Sequence, residues 1–137
     1  MTKAANSKRR LVGAVRETGT AYGAQPKQYD LEERTFQFAK NVRGFVKLLP
    51  RTVSNLEDVK QLVRASGSVG ANYIEANESL GKKDFAMRVK ISRKEAKESR
   101  FFLRLLEVGS AEAERAALIQ EATELMNIFG SIVRRTE

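Results

Sequence analysis

The fold is decided by residues 85–106, which read FAMRVKISRKEAKESRFFLRLL. Apolar and small residues recur in this stretch at alternating steps of four and three: Phe85, Val89, Ser92, Ala96, Ser99, Leu103 and Leu106. At about 100° of rotation per residue, these positions share one side of an α-helix. The spacing therefore predicts an amphipathic helix over residues 83–108 with this side in a core.

Three further stretches have the same periodicity, with stripes that run over residues 31–49, 59–80 and 118–132. Residues suited to helix ends separate them: Asp30 as an N-cap, Pro50 as a stop, Ser54 or Asn55 as an N-cap, Gly81 as a stop, Gly109 as a C′ residue and Ser110 as an N-cap. Because short loops force neighbouring helices to be antiparallel, the pattern predicts an all-α, up-down-up-down four-helix bundle over residues 30–137.

Residues 1–29 differ from the rest in composition and charge. They are rich in Gly, Ala, Ser and Thr, and carry six basic residues against one acidic residue, whereas residues 30–137 carry 19 against 16. Little hydrophobic periodicity is present, so a disordered basic arm is predicted. Two interpretations are open: the arm contacts phosphates, or it is a solubilising tail or the product of a mis-assigned start codon.

The chain contains no Cys and no His. This excludes Ser-His and Cys-His nucleophile pairs and zinc sites with the usual ligands. The carboxylate pairs Glu75/Glu78 and Glu95/Glu98 have a spacing seen in di-iron bundles, but those sites also use His, so ion pairs with Lys and Arg are the expected role. No enzyme activity, metal or cofactor is therefore expected. The apolar runs are too short for a membrane span, and no secretory signal is visible, which favours a cytoplasmic protein.

The predicted third helix carries a continuous basic stripe beside its core side. Its members fall within about 60–180° of the core direction: Lys90, Arg93, Lys94, Lys97, Arg100 and Arg104. Correctly spaced cations suffice to bind a nucleic-acid backbone. The alternative is a solvated face paired with Glu95, Glu98 and the acidic residues of neighbouring helices.

A second apolar face lies on the same helix, away from its core side. Its members are Met87, Ile91, Phe102 and Leu105. A helix in a bundle needs only one apolar side to reach its own core. A second apolar side therefore favours an interface between subunits. The alternative is a wide helix face that is buried deeper within the monomer.

Small residues interrupt the predicted second helix at Ser66, Gly67, Gly70 and Ala71. Each Gly inside a helix costs about 1 kcal/mol relative to Ala, so a compensating interaction is expected. Close packing against another helix is the favoured interpretation. A phosphate-binding loop is the alternative, although the Walker spacing and its Lys are missing.

Several segments together carry a resemblance to a known family: YDLEERTF at 29–36, GSVGANYIEA at 67–76, KDF at 83–85, RKEAKESR at 93–100 and LRLL at 103–106. Over roughly residues 29–133, the chain resembles the bacterial four-helix-bundle family known as the 23S ribosomal RNA intervening-sequence proteins. The resemblance implies a bundle that assembles as a homopentamer. A related fold serves as the accessory protein of diversity-generating retroelements, where it binds nucleic acid and a reverse transcriptase.

Residues and resemblance together predict a non-enzymatic, oligomeric bundle that binds RNA or DNA electrostatically. The resemblance supplies no catalytic residues. An alternative is a protein-interaction scaffold or accessory subunit that recruits a partner protein, for example a reverse transcriptase. The basic arm departs from the compact family pattern, so a role for it does not follow from the resemblance.

Overall fold

The computed structural model describes residues 27–137, with side chains from Leu31 onward. The predicted arm over residues 1–29 lies outside the described residues except for its last three positions. Four α-helices are present: α1 (Lys27–Val46), α2 (Val53–Asn77), α3 (Lys82–Leu105) and α4 (Glu112–Thr136). The part of the chain from residue 27 onward contains no strand, as the helical periodicities predict.

Hydrogen bonds between helix ends show that the first three helices alternate in direction. Asn77, at the end of α2, donates from Nδ2 to Glu32 Oε2 near the beginning of α1 at 2.7 Å. Asn55, at the beginning of α2, donates from Nδ2 to the carbonyl oxygen of Glu107 just after α3 at 2.8 Å. Both neighbours of α2 are therefore antiparallel to it.

The fourth helix completes the bundle. Lys90 near the beginning of α3 pairs with Glu137 just after α4 at 3.6 Å, so these helices are also antiparallel. Arg34 of α1 pairs with Glu121 at 2.7 Å and with Glu124 at 2.6 Å, both on α4. α1 therefore lies beside α4, and the helices form an up-down-up-down ring around one core.

The core consists of the predicted stripes. The largest fully buried apolar side chains are Phe38, Val42, Leu62, Val69, Val89, Leu103, Leu125 and Phe129. Tyr73 of α2 and Phe129 of α4 meet across this core, with ring centroids 5.8 Å apart. Small serines let α2 and α3 approach closely, and Ser92 Oγ donates to the carbonyl oxygen of Val69 at 2.9 Å.

Two ends of the predicted stripes are wrong. Leu80 is fully exposed because α2 ends at Asn77, which places Leu80 in the connection to α3. In α4 the last core position is Val133 rather than Ile132, which is only half-buried. The helical period of about 3.6 residues drifts from a strict repeat over a long helix, so the buried position moves by one residue.

Several predicted helix caps are also corrected. α1 begins at Lys27, so Asp30 lies inside the helix rather than at its N-cap. The N-cap of α2 is Thr52, whose hydroxyl accepts a hydrogen bond from the backbone N–H of Asn55. The N-cap of α4 is Ala111 instead of Ser110.

The predicted Gly109 cap is displaced as well. α3 ends at Leu105 with Leu106 as its C-cap, so Gly109 lies too far along the chain to be the C′ residue. It has a φ of 55° and makes the turn before α4, a conformation that Gly adopts without steric cost. The carbonyl group of the C-cap residue Leu106 instead accepts a hydrogen bond from Arg115 of α4 at 2.8 Å.

Candidate nucleic-acid interface

One edge of the predicted basic stripe borders α4, at Lys90, Arg93 and Arg100. Arg100 is half-buried and donates from Nη1 to Thr123 Oγ1 of α4 at 3.1 Å. The other five stripe residues are exposed. At a rise of about 1.5 Å per residue, Lys90 and Arg104 are roughly 21 Å apart along the helix. The stripe therefore runs along more than half of α3, with one edge beside α4.

Few carboxylates neutralise this stripe. Lys90 pairs with Glu137 at 3.6 Å, but both side chains are at least half exposed, and such surface pairs contribute little. Arg93, Lys94, Lys97 and Arg104 form no ion pair with any residue of 31–137. Of the alternative, a face paired with Glu95, Glu98 and the acidic residues of neighbouring helices, the described residues form only the Lys90–Glu137 pair, since Glu95 and Glu98 pair with Arg64.

A glycine on α4 brings a second arginine to the stripe. Gly130 is buried, and a Cβ built on it would lie 3.6 Å from Arg93 Nη1 and 3.5 Å from Arg134 Nη1. Two guanidinium groups, one from each helix, therefore lie over the same bare backbone position. Arg134 forms no ion pair within residues 31–137. We call the six stripe residues together with Arg134 the basic groove.

Arg134 and Gly130 were missed by the sequence reasoning, which followed α3 alone. A signal was present in α4: residues four apart share a helix side, so Gly130 and Arg134 lie together on one flank. Which helix that flank meets depends on the rotation of α4 in the bundle. The periodicity of a single helix does not contain that rotation.

Carboxylates neutralise arginines at two other places in the bundle, where α2 meets α3 and where α1 meets α4. Between α2 and α3, Arg64 pairs with both Glu95 and Glu98, so the expected ion-pair role of this carboxylate pair is confirmed. Between α1 and α4, the hydrogen bond with Glu121 raises the pKa of Arg34 despite its partial burial. Hydrogen bonds from Gln120 and Arg34 lower the pKa of Glu124.

No metal-binding chemistry is visible at these two places. The described residues contain no cluster of three or more potential metal ligands among His, Cys, Asp and Glu. They also contain no helix that is both long enough and apolar enough to span a membrane.

The second apolar face of α3 lies partly in solvent. Met87 is 45% exposed and Leu105 is 51% exposed, whereas Ile91 and Phe102 are half-buried. Glu98 falls among these residues on the helix surface and pairs with Arg64, so the face borders α2. α3 thus presents three sides: the core, the basic groove toward α4, and this apolar face toward α2.

The small residues of α2 lie on different sides of that helix. Ser66 is fully buried and Gly70 is buried, whereas Gly67 is half-buried and Ala71 is exposed. A Cβ on Gly70 would lie 2.8 Å from Thr35 Oγ1 of α1. Residues 67–70 are part of the continuous helix α2, so they do not form the phosphate-binding loop that we considered from the sequence.

Comparisons with known proteins place this geometry in context. Residues 27–131 match the family model described as 23S rRNA-intervening sequence protein. The fold is similar to the crystal structure of a protein of unknown function from the S23 ribosomal protein family of Bacteroides thetaiotaomicron, with a TM-score of 0.67 and 26% sequence identity. That alignment covers 75% of this chain and 97% of the other. No curated protein matches the chain.

Proposed function

The chain belongs to the 23S rRNA-intervening sequence protein family, and from this premise we propose that it binds the sugar-phosphate backbone of RNA or DNA along the basic groove. The proposed role is that of a non-enzymatic binding protein of the bacterial cytoplasm. The family match covers most of the chain. Its description refers to an intervening sequence of 23S rRNA and names no enzyme activity.

One observation carries the proposal. Arg93 and Arg134 approach the same point over Gly130, and neither forms an ion pair within residues 31–137. Two like charges held near one point attract an anion more strongly than either charge does alone. Guanidinium also matches phosphate geometry better than ammonium does. The arrangement therefore suits a phosphate oxygen as the missing partner.

The remaining cations of the basic groove extend this contact along α3. Lys97 and Arg104 lie about one and three helical turns beyond Arg93, which is roughly 6 Å and 17 Å along the axis. A flexible cation at each position can meet successive phosphates without reading bases. The proposed binding is therefore weakly sequence-specific and steeply dependent on salt concentration.

The test removes three of these cations by the substitutions Arg93→Gln, Lys97→Gln and Arg134→Gln in one protein. Affinity for a structured RNA, measured by fluorescence anisotropy, is expected to fall on the order of a hundredfold near physiological salt. The slope of log affinity against log salt is expected to become shallower by about 2–3. The reason is that each lost cation leaves one phosphate without a protein contact, so that binding releases fewer counterions from the nucleic acid.

A matched control loses the same charge elsewhere, by Lys40→Gln, Lys47→Gln and Lys60→Gln. These lysines are exposed and lie on α1, after α1 and on α2. The control is expected to keep the steep slope and most of the affinity. Equal losses in both triple variants would show that net charge, rather than the basic groove, determines binding.

A second proposal concerns the apolar face of α3, which favours protein contact because Met87 and Leu105 are about half exposed. We infer that this face joins copies of the chain, and the family resemblance implies five. The variant Met87→Glu/Leu105→Glu is expected to sediment as a smaller species while keeping its helical circular dichroism. Unchanged sedimentation would refute this interface, and a monomeric wild-type protein would refute self-association. In that case the face would serve a different protein partner.

A further inference from the structure

An aromatic side chain lies within the line of cations on α3. Phe101 is 53% exposed, and it follows Lys97 by four residues and precedes Arg104 by three. Residues three and four apart are neighbours on a helix surface. Phe101 is therefore an exposed ring with a cation on each side along the helix.

Its immediate neighbour Phe102 supports the ring. The centroids of Phe101 and Phe102 are 5.2 Å apart and their planes meet at 84°, which is an edge-to-face contact. Phe102 is half-buried, so it restricts the exposed ring without covering both of its faces. An oriented aromatic ring loses less conformational freedom on contact with a ligand than a freely rotating one does.

A second exposed phenylalanine shows what is particular to this site. Phe36 of α1 is 56% exposed, but Lys40 Nζ lies 6.0 Å from its ring centroid. No cation of residues 31–137 lies over the ring of Phe101 in this way. The cations beside Phe101 therefore leave the face of its ring open to a flat ligand.

We propose that Phe101 stacks on an unpaired base of the strand whose phosphates lie in the basic groove, an inference that rests on the proposed function. Every type of base presents a flat π-face. The phosphate of the same nucleotide carries the negative charge that Lys97 and Arg104 attract. Paired bases within a duplex are already stacked on each other. The groove therefore prefers a single-stranded or bulged segment over a continuous duplex of the same length.

The experiment compares Phe101→Ala with Phe36→Ala, which removes an equally exposed ring from another helix. Each variant is titrated with a single-stranded oligonucleotide and with a duplex of the same length. Phe101→Ala is expected to lose roughly 5- to 150-fold in affinity for the single strand, which corresponds to about 1–3 kcal/mol for one stacked base. Its affinity for the duplex and its salt slope are expected to stay unchanged, because no charge is lost.

Two further readouts separate stacking from a structural effect. Phe101→Trp keeps a stacking face and is expected to restore single-strand affinity, and an oligonucleotide with 2-aminopurine is expected to change fluorescence with wild type but not with Phe101→Ala. Wild-type single-strand affinity in Phe101→Ala, or the same loss in Phe36→Ala, would overturn the inference while leaving the proposed function intact. If the wild type binds neither oligonucleotide, the proposed function itself fails, and this inference fails with it.

Discussion

Replacing Asn55 with leucine is expected to lower the free energy of unfolding by about 3–4 kcal/mol, because it leaves three backbone groups without partners. Asn55 is 2% exposed. Its Nδ2 donates to the carbonyl oxygens of Pro50 at 2.9 Å and Glu107 at 2.8 Å, and its Oδ1 accepts from the N–H of Glu107 at 3.0 Å. One side chain thus joins the α1–α2 connection to the α3–α4 connection. Leucine fills a similar volume but makes none of these bonds.

The measurement is chemical denaturation, supported by a thermal melt in which the midpoint is expected to fall on the order of 10–15 °C. Asn41→Leu is the matched control, since Asn41 is exposed on α1, and its effect is expected to stay within about 0.5 kcal/mol. A loss of similar size in both variants would mean that Asn55 has no special role. Asn55→Asp is expected to be destabilising too, since it directs a carboxylate at two carbonyl oxygens.

The second large effect is expected for Gly70→Val, which should destabilise the protein by about 3 kcal/mol or more through overpacking. A Cβ at this position would lie 2.8 Å from Thr35 Oγ1 and 3.2 Å from Thr35 Cβ. Thr35 is 1% exposed, and its hydroxyl donates to the carbonyl oxygen of Glu32 at 2.9 Å, so it is not free to rotate away. α1 and α2 would have to separate to admit the new side chain.

Gly44→Val is the control, because nothing lies within 4 Å of the Cβ that it would introduce apart from the adjacent residues and the nearby backbone of α1 itself. At that helical position, valine is expected to stabilise the protein by a few tenths of a kcal/mol. A double-mutant cycle of Gly70→Ala with Thr35→Ala provides a second check. The two changes are expected to be less harmful together than the sum of their single effects, because Thr35→Ala removes the nearest atom. Strict additivity would contradict the proposed contact.

Much of the fold could be predicted from local patterns. The alternation of steps in α3 identified its buried side, since Val89, Ser92 and Leu103 are all buried. This succeeded because a bundle helix is buried along one stripe that repeats within the chain itself. Helix ends were harder to predict: Ser54 or Asn55 was predicted as the N-cap of α2, whereas Thr52 takes that position. The side chain of Asn55 instead donates a hydrogen bond to the carbonyl oxygen of Glu107.

The candidate site could likewise be predicted only in part. The cations of α3 could be placed on one side from helical geometry alone, whereas the meeting of Arg93 with Arg134 depends on the rotation of α4 against α3. Gly130 was not recognised because its importance lies in the side chain it lacks. Such a role becomes visible only when the neighbours of its Cα are known.

The distribution of ion pairs has a consequence for how the protein meets a partner. Arg34 and Arg64 are paired with carboxylates between the helices, while every cation of the basic groove except Lys90 forms no ion pair within residues 31–137. The charge of the bundle is therefore uneven around its long axis, although basic and acidic residues are nearly balanced over residues 30–137. A molecule with such a dipole is turned by the field of a polyanion before any contact forms. Orientation during diffusion would then raise the association rate, and added salt would slow encounter as well as weaken the complex.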